Sequence, residues 1–123
     1  MAEKAMVRAD LTREMIEAGR QLLERLDRAR FRAHACFWLY LADSERWNLV
    51  IASPEVRARG PLAAYRRIES VARKLPQEAR IFAPGDVTAV KDTDPMVALM
   101  RSRFPGKSVD GTFIDDAYVY RIA

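Results

Sequence analysis

Residues 33–53 read AHACFWLYLADSERWNLVIAS, and this stretch decides the fold. Ala33 to Ala42 and Trp47 to Ser53 are apolar and rich in aromatic and branched side chains. The polar Asp43-Ser44-Glu45-Arg46 between them makes the pair a β-hairpin. On the first strand Phe37, Leu39 and Leu41 point one way, and Cys36, Trp38 and Tyr40 point the other. Both sides are apolar, so this strand belongs at the centre of a sheet, covered on two sides.

Upstream, residues 11–30 predict an amphipathic helix. Leu11, Met15, Ala18, Leu22, Leu26 and Ala29 recur at three- and four-residue steps, with Ile16, Gly19 and Leu23 widening the stripe. Asp10 or Thr12 suits its start, and Arg25, Arg28 and Arg30 suit its C-terminal dipole. Residues 1–9 show no period and are expected to form a flexible terminus before one domain spanning 10–123.

Downstream, Pro54 stops the hairpin and Glu55 to Gly60 reads as a charged loop. Pro61 opens a second helix with Leu62, Tyr65, Ile68, Ala72 and Leu75 as its apolar stripe, and Pro76 closes it. Arg80 to Ala83 reads as a short strand and Val87 to Lys91 as another. Asp94-Pro95 caps a short helix, and Thr112 to Ile122 forms the last strand, with Tyr118, Tyr120 and Ile122 on one side. The expected architecture is α+β: a two-layer sandwich, a mainly antiparallel sheet of four or five strands with three helices, in the order α-β-β-α-β-α-β.

Helix plus hairpin, with Phe37-Trp38-Leu39-Tyr40-Leu41-Ala42-Asp43 and Trp47 to Ser53, resembles the opening of GAF-type sensory domains. The resemblance ends at Ser53, and no ligand pocket is carried over from it.

Several chemistries are excluded or weakened by the residues themselves. Cys36 is the only cysteine, so an internal disulfide and four-cysteine metal sites are impossible, and no cofactor is expected. A single thiol, no basic leader before an apolar core and no span-length apolar run point to the cytoplasm, with no membrane partner. Gly106-Lys107-Ser108 lacks the first glycine and the preceding strand of a phosphate-binding loop. Asp115 and Asp116 lack an evident structural duty and are the weak candidates for a metal-dependent nuclease or hydrolase, though Lys91 is not preceded by the acidic residue such sites use. His34 lies two residues from Cys36 but without an orienting third group.

The formal charge of +4 concentrates in residues 46–80, where Arg46, Arg57, Arg59, Arg66, Arg67, Arg73, Lys74 and Arg80 face only Glu55, Glu69 and Glu78. Arg57, Arg59, Arg66, Arg67, Arg73 and Lys74 are therefore the candidate nucleic-acid contacts. The leading expectation is a non-catalytic module that self-associates or docks to a protein partner. Trp38, Tyr40, Trp47, Tyr118 and Tyr120 are its expected interface, because covering rings on both faces of a sheet is expected to take more than three helices.

Overall fold

A computed structural model describes residues 10–83, 85–103, 111–114 and 116–123, with the backbone alone at 112–114. The expected flexible terminus, the Gly106-Lys107-Ser108 segment, Asp110 and Asp115 lie outside the described residues. The elements are α1 (Arg13–Arg28), β1 (Ala35–Leu41), β2 (Arg46–Ser53), α2 (Pro54–Arg59), α3 (Pro61–Ala72), a 3₁₀ turn (Gln77–Ala79), β3 (Val87–Lys91), α4 (Pro95–Arg103), β4 (Thr112–Ile114) and β5 (Ala117–Ile122). The class is α+β. Thr12 caps α1, its hydroxyl accepting from the Met15 N–H at 3.1 Å.

The sheet has the order β3-β2-β1-β5-β4. β1 is central, antiparallel to β2 and β5, and buried from Ala35 to Trp38. β4 pairs antiparallel with β5. β3, however, runs parallel to β2, so the sheet is mixed. A parallel neighbour requires a crossover, and α2 with α3 provides it.

Among the described residues four α-helices stand where three were expected, because the charged segment after the hairpin is α2. Ser53 accepts from the Glu55 N–H at 3.0 Å as an N-cap, and Pro54 occupies the first helical position. Gly60, at φ 91°, ends α2 and lets the chain restart at Pro61. The expected strand at 80–83 is absent. That segment leaves the 3₁₀ turn without regular structure, and Asp86 ties its end by accepting from the Ala83 N–H at 2.8 Å. The expected last strand is two, β4 and β5, with Ile114 opposite Ala117.

Each face of the sheet carries its own core. On one face α1 buries Ala18, Leu22 and Leu26, and α3 buries Ala64 and Ile68, against Cys36, Trp38, Leu49 and Ile51. On the other, Val97 and Met100 of α4 meet Ala35, Phe37, Val50, Val119 and Ile122. Helices therefore lie on both faces rather than in the single layer expected. Each large side chain so buried contributes about 1.5–3 kcal/mol. Among the described residues no helix is long and apolar enough to cross a membrane.

A bulge in β5 decides which side chains reach which core. Cys36 pairs with Arg121, yet Phe37 pairs with Val119, leaving Tyr120 as the extra residue. Tyr120 and Arg121 consequently both serve the α1 side, and Ile122 passes to the α4 side. Simple alternation had grouped Ile122 with the tyrosines.

Candidate binding surfaces

The five rings expected to form an interface lie on one face, beneath their own chain. Trp38, Trp47 and Tyr120 are buried, and Tyr40 and Tyr118 are half-buried. The Trp38 indole N–H donates to the Tyr120 hydroxyl at 2.9 Å, and that hydroxyl donates to the Ile16 carbonyl of α1 at 2.6 Å. Burial pushes the Tyr120 phenol well above its ordinary pKa. Gly19 permits this closeness: a Cβ there would stand 2.4 Å from the Tyr120 oxygen and 2.9 Å from the Trp38 nitrogen. Phe82 stacks on Trp38 from the irregular segment, with ring centroids 5.9 Å apart. Trp47 meets Tyr40 edge-on, as Tyr118 meets Tyr120. Trp38 and Trp47 contribute to the lining of a cavity of about 410 Å³ together with Met15, Ile81 and Phe82.

The acidic and histidine candidates are scattered or structurally engaged. Asp116 is exposed, and its carbonyl accepts from the Tyr40 N–H at 2.9 Å. His34 stands 3.9 Å from Asp92, whose carboxylate takes a two-pronged bond from Arg57 at 2.9–3.3 Å. The Arg57 bond holds the Asp92 pKa below the usual carboxylate range. Cys36 is sealed in the α1 core, where burial pushes its thiol up to about 12 and keeps it protonated. Asp94 caps α4 as expected, accepting from the Met96 N–H at 2.8 Å. Among the described residues no group of three or more His, Cys, Asp or Glu side chains could hold a metal ion.

The six basic candidates do not share one face. Arg57 belongs to Asp92, and Arg59 stands 3.4 Å from Glu55. Arg67 lies 5.6 Å over the Phe31 ring and donates to the Ala29 carbonyl at 2.7 Å. The Lys74 carbonyl accepts from Arg25 at 3.2 Å, and Arg66 is exposed. Arg73 turns to a groove that the sequence did not reveal.

That groove, of about 330 Å³, runs between α3 and residues 80–83 and 85–87 of the segment 80–87. Tyr65, Ile68 and Ala72 form one wall, Phe82, Ala83 and Val87 the other, with Glu69, Arg73 and Arg80 at its polar edge. The second wall is pinned. Asn48 donates to the Gly85 carbonyl at 2.7 Å and accepts from the Thr88 hydroxyl at 2.5 Å, while the Leu49 N–H donates to Asp86 at 2.8 Å. The Tyr65 hydroxyl accepts from the Ala89 N–H at 3.0 Å, covering part of the free edge of β3. One turn before Tyr65, Leu62 is 63% exposed, and Tyr65 itself is 38% exposed.

The sequence signal for this site was present but ambiguous. Of the expected apolar stripe of α3, Ile68, Ala72 and Leu75 reach the core, joined by Ala64, while Leu62 and Tyr65 are exposed. Ile81 and Phe82 had been read as strand residues.

No family model, no curated protein and no solved structure matches this chain, so the likeness to GAF-type domains rests on the helix and hairpin alone.

Proposed function

We propose that this chain is a non-catalytic binding module that docks a protein partner in the groove between α3 and the segment 80–87. The groove is the single observation that carries this reading. It is apolar, of a size suited to a few side chains, and walled by backbone already held in place. Leu62, 63% exposed among the described residues, extends its apolar strip along α3.

The occupant that fits is an apolar segment of the partner flanked by acidic side chains. Arg73 and Arg80 edge the groove, are exposed, and make no ion pair among the described residues. Docking would proceed through side chains rather than strand addition, because Tyr65 occupies an N–H on the free edge of β3.

Selection of peptides from a displayed library on the folded chain tests the proposal. Apolar, acidic sequences are expected, and their binding should fall at least about tenfold with Leu62→Glu or Arg73→Glu, a loss of about 1.4 kcal/mol. Both positions are exposed, so the fold should tolerate these changes. An empty selection, or binders indifferent to both substitutions, would remove the groove as the docking site.

A further inference from the structure

α1 ends with an arginine in a place that favours glycine. The Arg30 N–H donates to the Asp27 carbonyl at 3.0 Å and the Phe31 N–H to the Leu26 carbonyl at 2.9 Å, which closes the helix with a paired-bond terminus. Arg30 sits at φ 62°, the left-handed region that L side chains adopt at a cost. The following Phe31 is buried and completes the terminus with its apolar contact. Local stability would be better served by Gly at position 30, so the retained side chain calls for another reason.

The surroundings of Arg30 supply one. Arg67 bonds to the Ala29 carbonyl and Arg25 to the Lys74 carbonyl, and together they clamp the end of α1 against α3. The exposed Arg28 and Arg30 adjoin the clamped Ala29 in sequence, the exposed Lys74 carries the carbonyl that Arg25 holds, and Arg67 is half-buried. Asp27, the nearest carboxylate in sequence, is occupied by Arg121 at 2.8 and 2.9 Å. Arg28, Arg30 and Lys74 make no ion pair among the described residues.

We propose that the junction of α1 and α3 binds the sugar-phosphate backbone of double-stranded nucleic acid, with Arg30 at its centre. Guanidinium forks match phosphate oxygens, and each phosphate neutralised releases a counterion. Nothing here reads sequence, because no Asn or Gln occurs between Arg25 and Lys74 except Asn48, which is bonded within the sheet. Duplex is favoured over single strands because Phe31 is buried and offers no surface on which an unpaired base could stack. A bilayer is disfavoured because residues 28–34 expose no large apolar side chain. The surface is separate from the groove, and the proposal stands or falls independently of it.

The test uses the full chain and a fluorescent DNA duplex of about 20 base pairs, titrated by anisotropy between about 50 and 200 mM salt. Wild type should bind with affinity that falls steeply with salt and varies little with sequence. Arg30→Gly should weaken binding about threefold or more and reduce the log–log salt slope by about one, while its melting midpoint rises. Leu62→Glu should leave duplex binding unchanged within about twofold, allowing for its long-range charge. The proposal is overturned by no binding at low salt, or by Arg30→Gly that leaves affinity and slope intact. Single strands bound more tightly than duplex, or equal affinity for phosphatidylserine vesicles, would also overturn it.

Discussion

Gly19→Ala sets two effects of opposite sign against each other. Helix propensity alone favours alanine over a mid-helix glycine by about 1 kcal/mol. Against this, the new methyl carbon would stand 2.4 Å from the Tyr120 hydroxyl and 2.9 Å from the Trp38 indole nitrogen. Tyr120 cannot retreat freely, since its oxygen bridges the Trp38 N–H and the Ile16 carbonyl. Overpacking costs about 1–3 kcal/mol, and stranding a buried indole N–H costs about 1–3 kcal/mol more. The expected net loss is about 3 kcal/mol, or roughly 10 °C in melting midpoint for a chain of this size.

Urea unfolding followed by tryptophan fluorescence measures that loss, and a second background identifies its cause. In Tyr120→Phe the oxygen is gone and the indole N–H has already lost its acceptor, leaving the 2.9 Å approaches to the ring Cζ and the indole nitrogen, so overpacking less the helix gain should leave Gly19→Ala costing about 1 kcal/mol there. The coupling between the two positions should therefore be about 2 kcal/mol. A Gly19→Ala variant as stable as wild type, or one costing the same in both backgrounds, would refute the packing argument.

Three further outcomes follow from the same geometry. The Asp92 pKa is depressed in the fold by Arg57, so its ion pair stabilises at neutral pH and loses that effect as pH falls through and below about 4. The stability gap between wild type and Asp92→Asn, measured by denaturant titration at each pH, should thus narrow on acidification; a gap independent of pH would contradict it. Cys36, buried with its thiol pushed up to about 12, should react with iodoacetamide at pH 8 only through unfolding. Prompt labelling of the native protein would show the α1 core to be open. Tyr65→Phe should strand the Ala89 N–H at the sheet edge, cost about 1 kcal/mol and raise the tendency to associate, as read by light scattering.

Much of the framework was legible because periodicity is strong where burial is extensive. The stripe from Leu22 to Leu26 and the two-sided greasiness of Ala35 to Trp38 announced α1 and the central strand. Legibility failed where one local interaction outweighed pattern. A serine cap and Pro54 at the first helical position turned a charged loop into α2, and one extra residue at Tyr120 exchanged the faces of β5. The burial of Trp38, Trp47 and Tyr120 was hidden for a related reason. Bare counting of helices ignored the close approach that Gly19 allows and the cover that Phe82 provides. The groove was ambiguous in sequence because its opening depends on how far α3 stands from Gly85 and Val87, a distance set by tertiary packing. The cations of residues 46–80 likewise gave no hint that Arg57 and Arg59 would be taken up by Asp92 and Glu55 while Arg28, Arg30 and Lys74 stay exposed.

The docking proposal is tested most directly by titrating isotope-labelled protein with the tightest selected peptide and following amide and indole resonances. Shifts are predicted at Tyr65, Glu69, Ala72, Arg73, Phe82 and Val87, with the Trp47 indole unchanged. Shifts centred on Trp38, Trp47 and Tyr118 with a silent groove would return the interface to the ring face and contradict the proposal.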